Sequence, residues 1–360
     1  MMSQNDGLEI IRALDELQKE RGIAKEVLLD AIEAALVSAF KRHYGSSQNV
    51  RVIIDPGTGK VLVLARKVVV EEVDDPKTQV SLDDARVIDP AYNPGDVIEN
   101  EVTPREFGRI AAQTAKQVVV QRIREAERGV LYEQFSNREG DVVTGTVSRV
   151  EARNVILDLG KTEASLPQQE QVPTERYEPG TRLKCYVVEV RKTNRGPMVV
   201  LSRTHPGLLK RLLELEIPEI SEGVVEIRGI AREAGARSKV AVLARDPNVD
   251  PVGACVGPRG ARIQAVVSEL AGEKIDVIPW SEDYSTFIAN ALSPAKVVEV
   301  RPDFISKVAM VIVPDYQLSL AIGREGQNAR LAAKITGWKI DIKSEAQVGL
   351  GGIPRFEIDF

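Results

Sequence analysis

Apolar positions along the 360-residue chain change period several times, and each change marks an element. Ile10, Leu14 and Leu17 recur at helical spacing. Val27, Ala31, Leu36 and Phe40 continue a second amphipathic helix, predicted over Ala24 to Tyr44 with Gly45 to stop it. Two β-type runs follow, RVIID from Arg51 and VLVLARKVVVEEV from Val61, and Pro56-Gly57-Thr58-Gly59 between them reads as a hairpin turn. A long helix is expected from about Glu106 to Phe135, with Phe107, Ile110, Thr114, Val118 and Ile123 near one face and Arg and Glu dense on the other. From Gly140 to Ser202 only short strands are legible: DVVTGTVSRV, NVILDLG, TEASLP, RLKCYVVEVRK and PMVVLSR. Val143, Gly145 and Val147 alternate in the first, and Asn194-Arg195-Gly196 turns between the last two, which suits a small closed barrel. A helix over about Gly207 to Leu215 leads into the last third.

That last third is written twice. ACVGPRGARIQAVVSELAGEKIDVI, from Ala254, matches LAIGREGQNARLAAKITGWKIDI, from Leu320, with one residue of length difference; the glycines are 66 positions apart, and Lys-Ile-Asp recurs at Lys274 and Lys339. Before each copy lie two β-type runs, VVEIRGIAREAG and SKVAVLARD in the first, VVEVRPD and KVAMVIVPD in the second. Two strands, a small helix, a Gly-x-x-Gly loop, a longer helix and a final strand make the layout of the prokaryotic KH fold. The loops are Gly257-Pro258-Arg259-Gly260 and Gly323-Arg324-Glu325-Gly326. Glycine has no Cβ, so a sugar-phosphate chain can approach the backbone closely, and the helix that follows adds partial positive charge at its start. KH modules clamp about four nucleotides in this way. Arg259 and Arg262 in the first copy, with Arg324 and Arg330 in the second, are placed for charge-assisted contacts.

Composition narrows the alternatives. With 43% hydrophobic and 28% charged residues the chain reads as a soluble protein of several domains, and neither a membrane span nor a signal peptide is legible, so a cytoplasmic location is expected. Cys185 and Cys255 are the two cysteines, and His43 and His205 the two histidines; they form no metal-ligand spacing, and no cofactor, metal or catalytic residue is expected. Gly59-Lys60 is followed by Val61 where a phosphate loop needs Ser or Thr, so it reads as a turn. The net charge is −5, but the acid excess lies in residues 1–135, while residues 221–346 carry 16 basic and 16 acidic side chains. Phosphate binding there needs the basic groups gathered on one face. In the barrel the positions where such folds stack bases hold Asn154, Val155 and Ile156, leaving Tyr177 and Tyr186 as the aromatics, and a supporting, weakly basic role is open to Arg149, Arg153, Arg191, Lys192 and Arg195.

Residues 8–346 as a whole resemble the bacterial NusA family of transcription termination/antitermination proteins, most specifically in the two duplicated segments and in LLDAIEAALVSAFKRHYG from Leu28. The resemblance implies a multidomain α+β chain: an N-terminal RNA-polymerase-binding domain over 1–135, a five-stranded OB-fold barrel of the ribosomal-protein S-one type over 136–203, tandem KH domains over 204–282 and 283–346, and a loose tail over 347–360. It further implies a monomeric, non-enzymatic elongation factor whose partners are RNA polymerase, the single-stranded nascent RNA and other antitermination factors. Carried over, the RNA-binding positions are Gly257, Pro258, Arg259, Gly260 and Arg262 in the first KH domain, and Gly323, Arg324, Glu325, Gly326, Gln327, Asn328 and Arg330 in the second. Glu325 departs from the basic residue expected beside a phosphate. The acidic C-terminal repeats of some family members are not present in this sequence. A KH- and OB-containing RNA-binding factor of the ribosome is the competing reading; a polynucleotide phosphorylase would need a large catalytic body that this chain lacks.

Overall fold

The computed structural model describes residues 11–16, 18–19, 24–44, 49–104, 106–194 and 196–349. Ile10, Leu17, Gly45, Arg195 and most of the expected tail lie outside them. The chain divides into two compact units, residues 1–130 and 131–360.

In the first unit, helix α1 (Lys25–Tyr44) buries Leu28, Ile32, Leu36 and Phe40. This corrects the expected stripe by one position at its start: Val27 is 52% exposed, because a strict four-residue spacing from Leu28 carries the stripe onto Phe40. Strands β1 (Asn49–Ile54) and β2 (Val61–Val70) pair antiparallel, with Val52 opposite Val63. The Asp55 carboxylate accepts from the Gly57 and Thr58 amides in the connecting turn, which accounts for Gly59-Lys60 without any phosphate loop. Strands β3 (Gln79–Ser81) and β4 (Val97–Glu101) both join β2, and a short helix α2 (Leu82–Ile88) lies between them. Helix α3 (Phe107–Ser136) packs Phe107, Ala111 and Ala115 into the core formed by α1, β1 and β2.

In the second unit, β5 (Val142–Glu151), β6 (Asn154–Asp158), β7 (Glu163–Leu166), β8 (Arg182–Thr193) and β9 (Gly196–Ser202) close into a barrel of order β5-β6-β7-β9-β8. Val143 and Val147 point inward, as their alternation requires, with Leu157, Leu166, Val199 and Leu201. Gly145 sits between those two valines, where a Cβ would lie 2.9 Å from the Leu159 side chain and 3.1 Å from Cβ of Leu157, so a larger residue there would have to displace those leucines.

Two copies of one fold follow. The first comprises α4 (Pro206–Glu216), α5 (Pro218–Ser221), β10 (Val225–Glu233), β11 (Arg237–Ala244), α6 (Pro251–Val256), α7 (Ala261–Glu269) and β12 (Lys274–Pro279). The second comprises α8 (Tyr284–Ala291), β13 (Glu299–Asp303), β14 (Val308–Val313), α9 (Leu318–Ile322), α10 (Gln327–Thr336) and β15 (Lys339–Ser344). In each sheet the middle strand is antiparallel to the strand before it and parallel to the last, in the orders β10-β11-β12 and β13-β14-β15. The repeated lysines begin the parallel strands, Lys274 opposite Arg237 and Lys339 opposite Val308.

The three modules of this unit are joined by buried polar contacts. Arg203, 1% exposed at the end of the barrel, pairs with Glu175 and donates to the Lys184 carbonyl in the barrel and the Glu269 carbonyl in the first KH copy. Lys239, 0% exposed, donates to Asp276 in its own copy and to the Ser293 carbonyl in the next. Burial pushes the Lys239 ammonium below its ordinary range against the upward pull of Asp276. Ala241 and Ile278 of the first copy belong to the same apolar core as Phe287, Ile288 and Trp338 of the second.

Candidate nucleic-acid interface

Both Gly-x-x-Gly loops form the same corner. Gly257 has φ 72° and ψ 176°, and Gly323 has φ 76° and ψ 169°, a backbone region open in practice to glycine alone. The third residues, Arg259 (φ 54°, ψ 25°) and Glu325 (φ 55°, ψ 25°), and the closing glycines, Gly260 (φ 77°, ψ 12°) and Gly326 (φ 73°, ψ 12°), adopt left-handed conformations. The two glycines of each corner serve different needs. A Cβ on Gly257 would stand 2.7 Å from Cγ of Arg262, and one on Gly323 would stand 2.8 Å from Cβ of Asn328; at Gly260 and Gly326 it would meet nothing within 4 Å. The first glycine lets the chain fold, and the second leaves open space at the start of α7 or α10. Neither helix start carries a side-chain cap; the first amide of each, Ala261 or Gln327, turns back onto the Pro258 or Arg324 carbonyl, which leaves exposed Pro258 and Arg259, or Arg324 and Glu325, at the tip of the corner.

The difference between the glycines is measurable. Gly323→Ala is expected to lower stability by roughly 1–3 kcal/mol, and Gly326→Ala by roughly 1 kcal/mol, read by urea unfolding of the full chain. Equal losses at the two positions would mean that the crowding at Gly323 is relieved by movement of α10.

The residue five positions after each first glycine holds the corner from behind. Arg262 donates through Nη1 to the Ala254 carbonyl at 2.7 Å and to both Glu219 oxygens at 3.0 and 2.9 Å. Asn328, 0% exposed, donates through Nδ2 to the carbonyls of Leu292, Ala321 and Leu320 at 2.9, 3.0 and 3.4 Å. Ala254 and Leu320 are equivalent, each three residues before its glycine, so one clamp is built from an ion pair and the other from a buried amide. This corrects the expectation that Asn328 faces RNA: its burial leaves the side chain no reach beyond the fold. Arg262 is turned inward toward Glu219, whose carboxyl is held below its ordinary range by its own backbone amide, against the effect of burial, with help from Arg262.

Gln327 and Arg330 are also engaged, by a residue that sequence reading missed. Glu233, at the end of β10 in the first copy, accepts from Arg330 Nε at 2.5 Å and Nη2 at 3.2 Å and from Gln327 Nε2 at 2.8 Å, while Arg330 Nη1 donates to the Glu325 carbonyl inside the second corner at 3.2 Å. The Arg330 hydrogen bonds hold the Glu233 carboxyl below its ordinary range. Arg330 therefore ties the second corner to the first KH copy. The neighbouring Arg232 is locked in turn to Glu273 in a pair 2% and 0% exposed, and Glu273 also accepts from Ser238 and the Gly235 amide. Of the expected RNA-facing residues, Pro258, Arg259, Arg324 and Glu325 face outward between their flanking glycines, and Arg330 is exposed but engaged by Glu233.

In the barrel, Arg149 is paired with Glu151 and Glu163, and Arg191 with Glu189, whereas Arg153 and Lys192 are exposed. Tyr186 stacks on His205 with ring centroids 4.4 Å apart, and the half-buried Tyr177 hydroxyl donates to Glu175 while accepting from the Val172 amide. Both tyrosines serve packing, and no helix among the described residues is long and apolar enough to cross a membrane.

Family models match the chain in series: the NusA N-terminal domain over residues 9–129, the S1 RNA binding domain over 136–202, the NusA-like first KH domain over 203–280 and the NusA-like second KH domain over 284–349. The chain is 59% identical over 339 residues to the transcription termination/antitermination protein NusA of Halalkalibacterium halodurans, covering 94% of this chain and 89% of that protein. It is 58% identical over 348 residues to that of Bacillus subtilis, covering 96% and 94%, and 45% identical over 351 residues to that of Thermus thermophilus, covering 94% and 90%. With NusA family models matched along the chain and identity of this extent over nearly the whole length, the chain belongs to the NusA family of transcription termination/antitermination proteins.

Proposed function

We propose that the protein is a non-catalytic elongation factor that binds RNA polymerase through residues 1–135 and holds the emerging single-stranded transcript on its KH corners, so modulating pausing, termination and antitermination. The observation that supports this most is the matched pair of corners, each with an uncapped helix start, an open closing glycine and an exposed arginine. Such a site offers main-chain amides and guanidinium groups to phosphates and has nothing to transfer to them. Binding at each corner is weak, and tethering to polymerase raises the local concentration of both beside the exiting strand. RNA held there either folds into a hairpin or passes to other factors, and the outcome depends on those partners.

Crosslinking of the full chain to a stalled elongation complex tests this reading. The expected products join polymerase to the N-terminal domain, and RNA to the segments around Arg259 and Arg324. Recovery of ribosomal components in place of polymerase would favour the ribosome-associated alternative.

A further inference from the structure

We propose that the second corner reads a base where the first grips only the backbone, and that Glu325 is the specificity-determining residue, accepting the paired N1–H and N2–H donors of guanine. The proposal rests on the reading of the corners as RNA-binding sites and adds what the second one selects. Because the two backbones coincide within a few degrees, the residue types alone distinguish the corners. Arg259 and Glu325 occupy the same left-handed position, so their side chains leave the chain in the same direction. One presents a cation, the other a carboxylate that is 82% exposed, with the Arg324 guanidinium 3.7 Å away.

A carboxylate is an acceptor only. It repels phosphate, and it gains from an RNA group that donates. Guanine alone among the four bases carries two adjacent donors on its Watson–Crick edge, matching the two oxygens of a carboxylate; adenine, cytosine and uracil each place an acceptor beside their donor. Single-stranded RNA exposes that edge.

The surroundings provide a place for the base. Leu320 and Ile322, on the last turn before Gly323, are 44% and 38% exposed. At the equivalent positions before Gly257 the first copy has the smaller Ala254 and Val256, both half-buried. The second corner thus combines an exposed aliphatic platform for a ring face, an acceptor for its edge, and open space over Gly326.

The test uses the full chain and two unstructured decamer RNAs, one A-rich with interspersed guanosines and one with each guanosine replaced by inosine, which keeps N1–H and lacks the N2 amino group. At matched salt the parent is expected to bind the guanosine RNA about tenfold more tightly, the scale of one bidentate base contact. Glu325→Gln, isosteric but with an acceptor beside a donor, should reduce that ratio to about twofold. Glu325→Arg should bind both RNAs more tightly, with a steeper salt dependence and no discrimination. An unchanged ratio in Glu325→Gln, or an equal gain for both RNAs, would overturn the assignment and leave Glu325 as a simple repulsive charge. Failure of the parent to bind either RNA would overturn the RNA-binding reading itself, and this assignment with it.

Discussion

Reversing one charge in each corner, Arg259→Asp with Arg324→Asp, is expected to lower affinity for single-stranded RNA by about 100-fold or more at ~0.1 M salt, with the unfolding transition unmoved. Both side chains are exposed, Arg324 to 93%, and aspartate tolerates the left-handed conformation of position 259 better than most residues. The exchange removes two charge-assisted hydrogen-bonding groups, each with a net value of about 1.5–3 kcal/mol, and puts repulsion in their place. Fluorescence anisotropy across a salt series gives a second readout: the slope of log K against log salt should fall by about 0.7 for each phosphate that is no longer neutralised. Parent-like affinity in the double variant would remove the corners from the RNA-binding surface. Substituting the first glycines instead would confuse the result, since Gly257 and Gly323 are needed for the fold itself.

The second large effect is on stability. Arg232→Met leaves Glu273 charged, buried and without its main partner, and is expected to cost about 3–5 kcal/mol. Trp280 and Trp338, the two tryptophans of the chain, both pack in or against the core of the second KH copy, so intrinsic fluorescence during urea unfolding reports on the KH pair. The same group predicts a pH dependence. Burial raises the Glu273 carboxyl, but the Arg232 ion pair, Ser238 and the Gly235 amide together outweigh it, and the net shift is downward from 4.5. A carboxylate with a depressed folded-state pKa contributes stability above its unfolded value and loses it as pH falls through the folded one. The parent should therefore weaken below about pH 4.5, with a shallower slope in Glu273→Gln. A loss in Arg232→Met no greater than that of an exposed substitution would show that water enters and solvates Glu273.

The corners were legible in sequence because backbone geometry dictates residue type: a φ near +75° with extended ψ requires glycine, and both copies carry it at the same offset. The barrel was legible for a similar reason, its alternation at Val143, Gly145 and Val147 being enforced by the pleat. Short elements gave no comparable signal, and β3, α2 and β4 went unanticipated, as did α8 at the boundary between the two KH copies. Side-chain partnership was hidden altogether. Arg330 and Glu233 stand 97 positions apart, and nothing local marks one as the other's ion-pair partner. Asn328 lies one helical position from where an outward-facing polar residue would be, and only the fold shows that its amide is spent on three carbonyls.

Lys239 carries a practical consequence. An amine sealed between two modules is closed to acylating reagents that reach surface lysines such as Lys274 and Lys339, so its labelling rate counts how often the seam opens. Mass spectrometry of briefly acetylated protein, with and without bound transcript, would time that opening at a single atom.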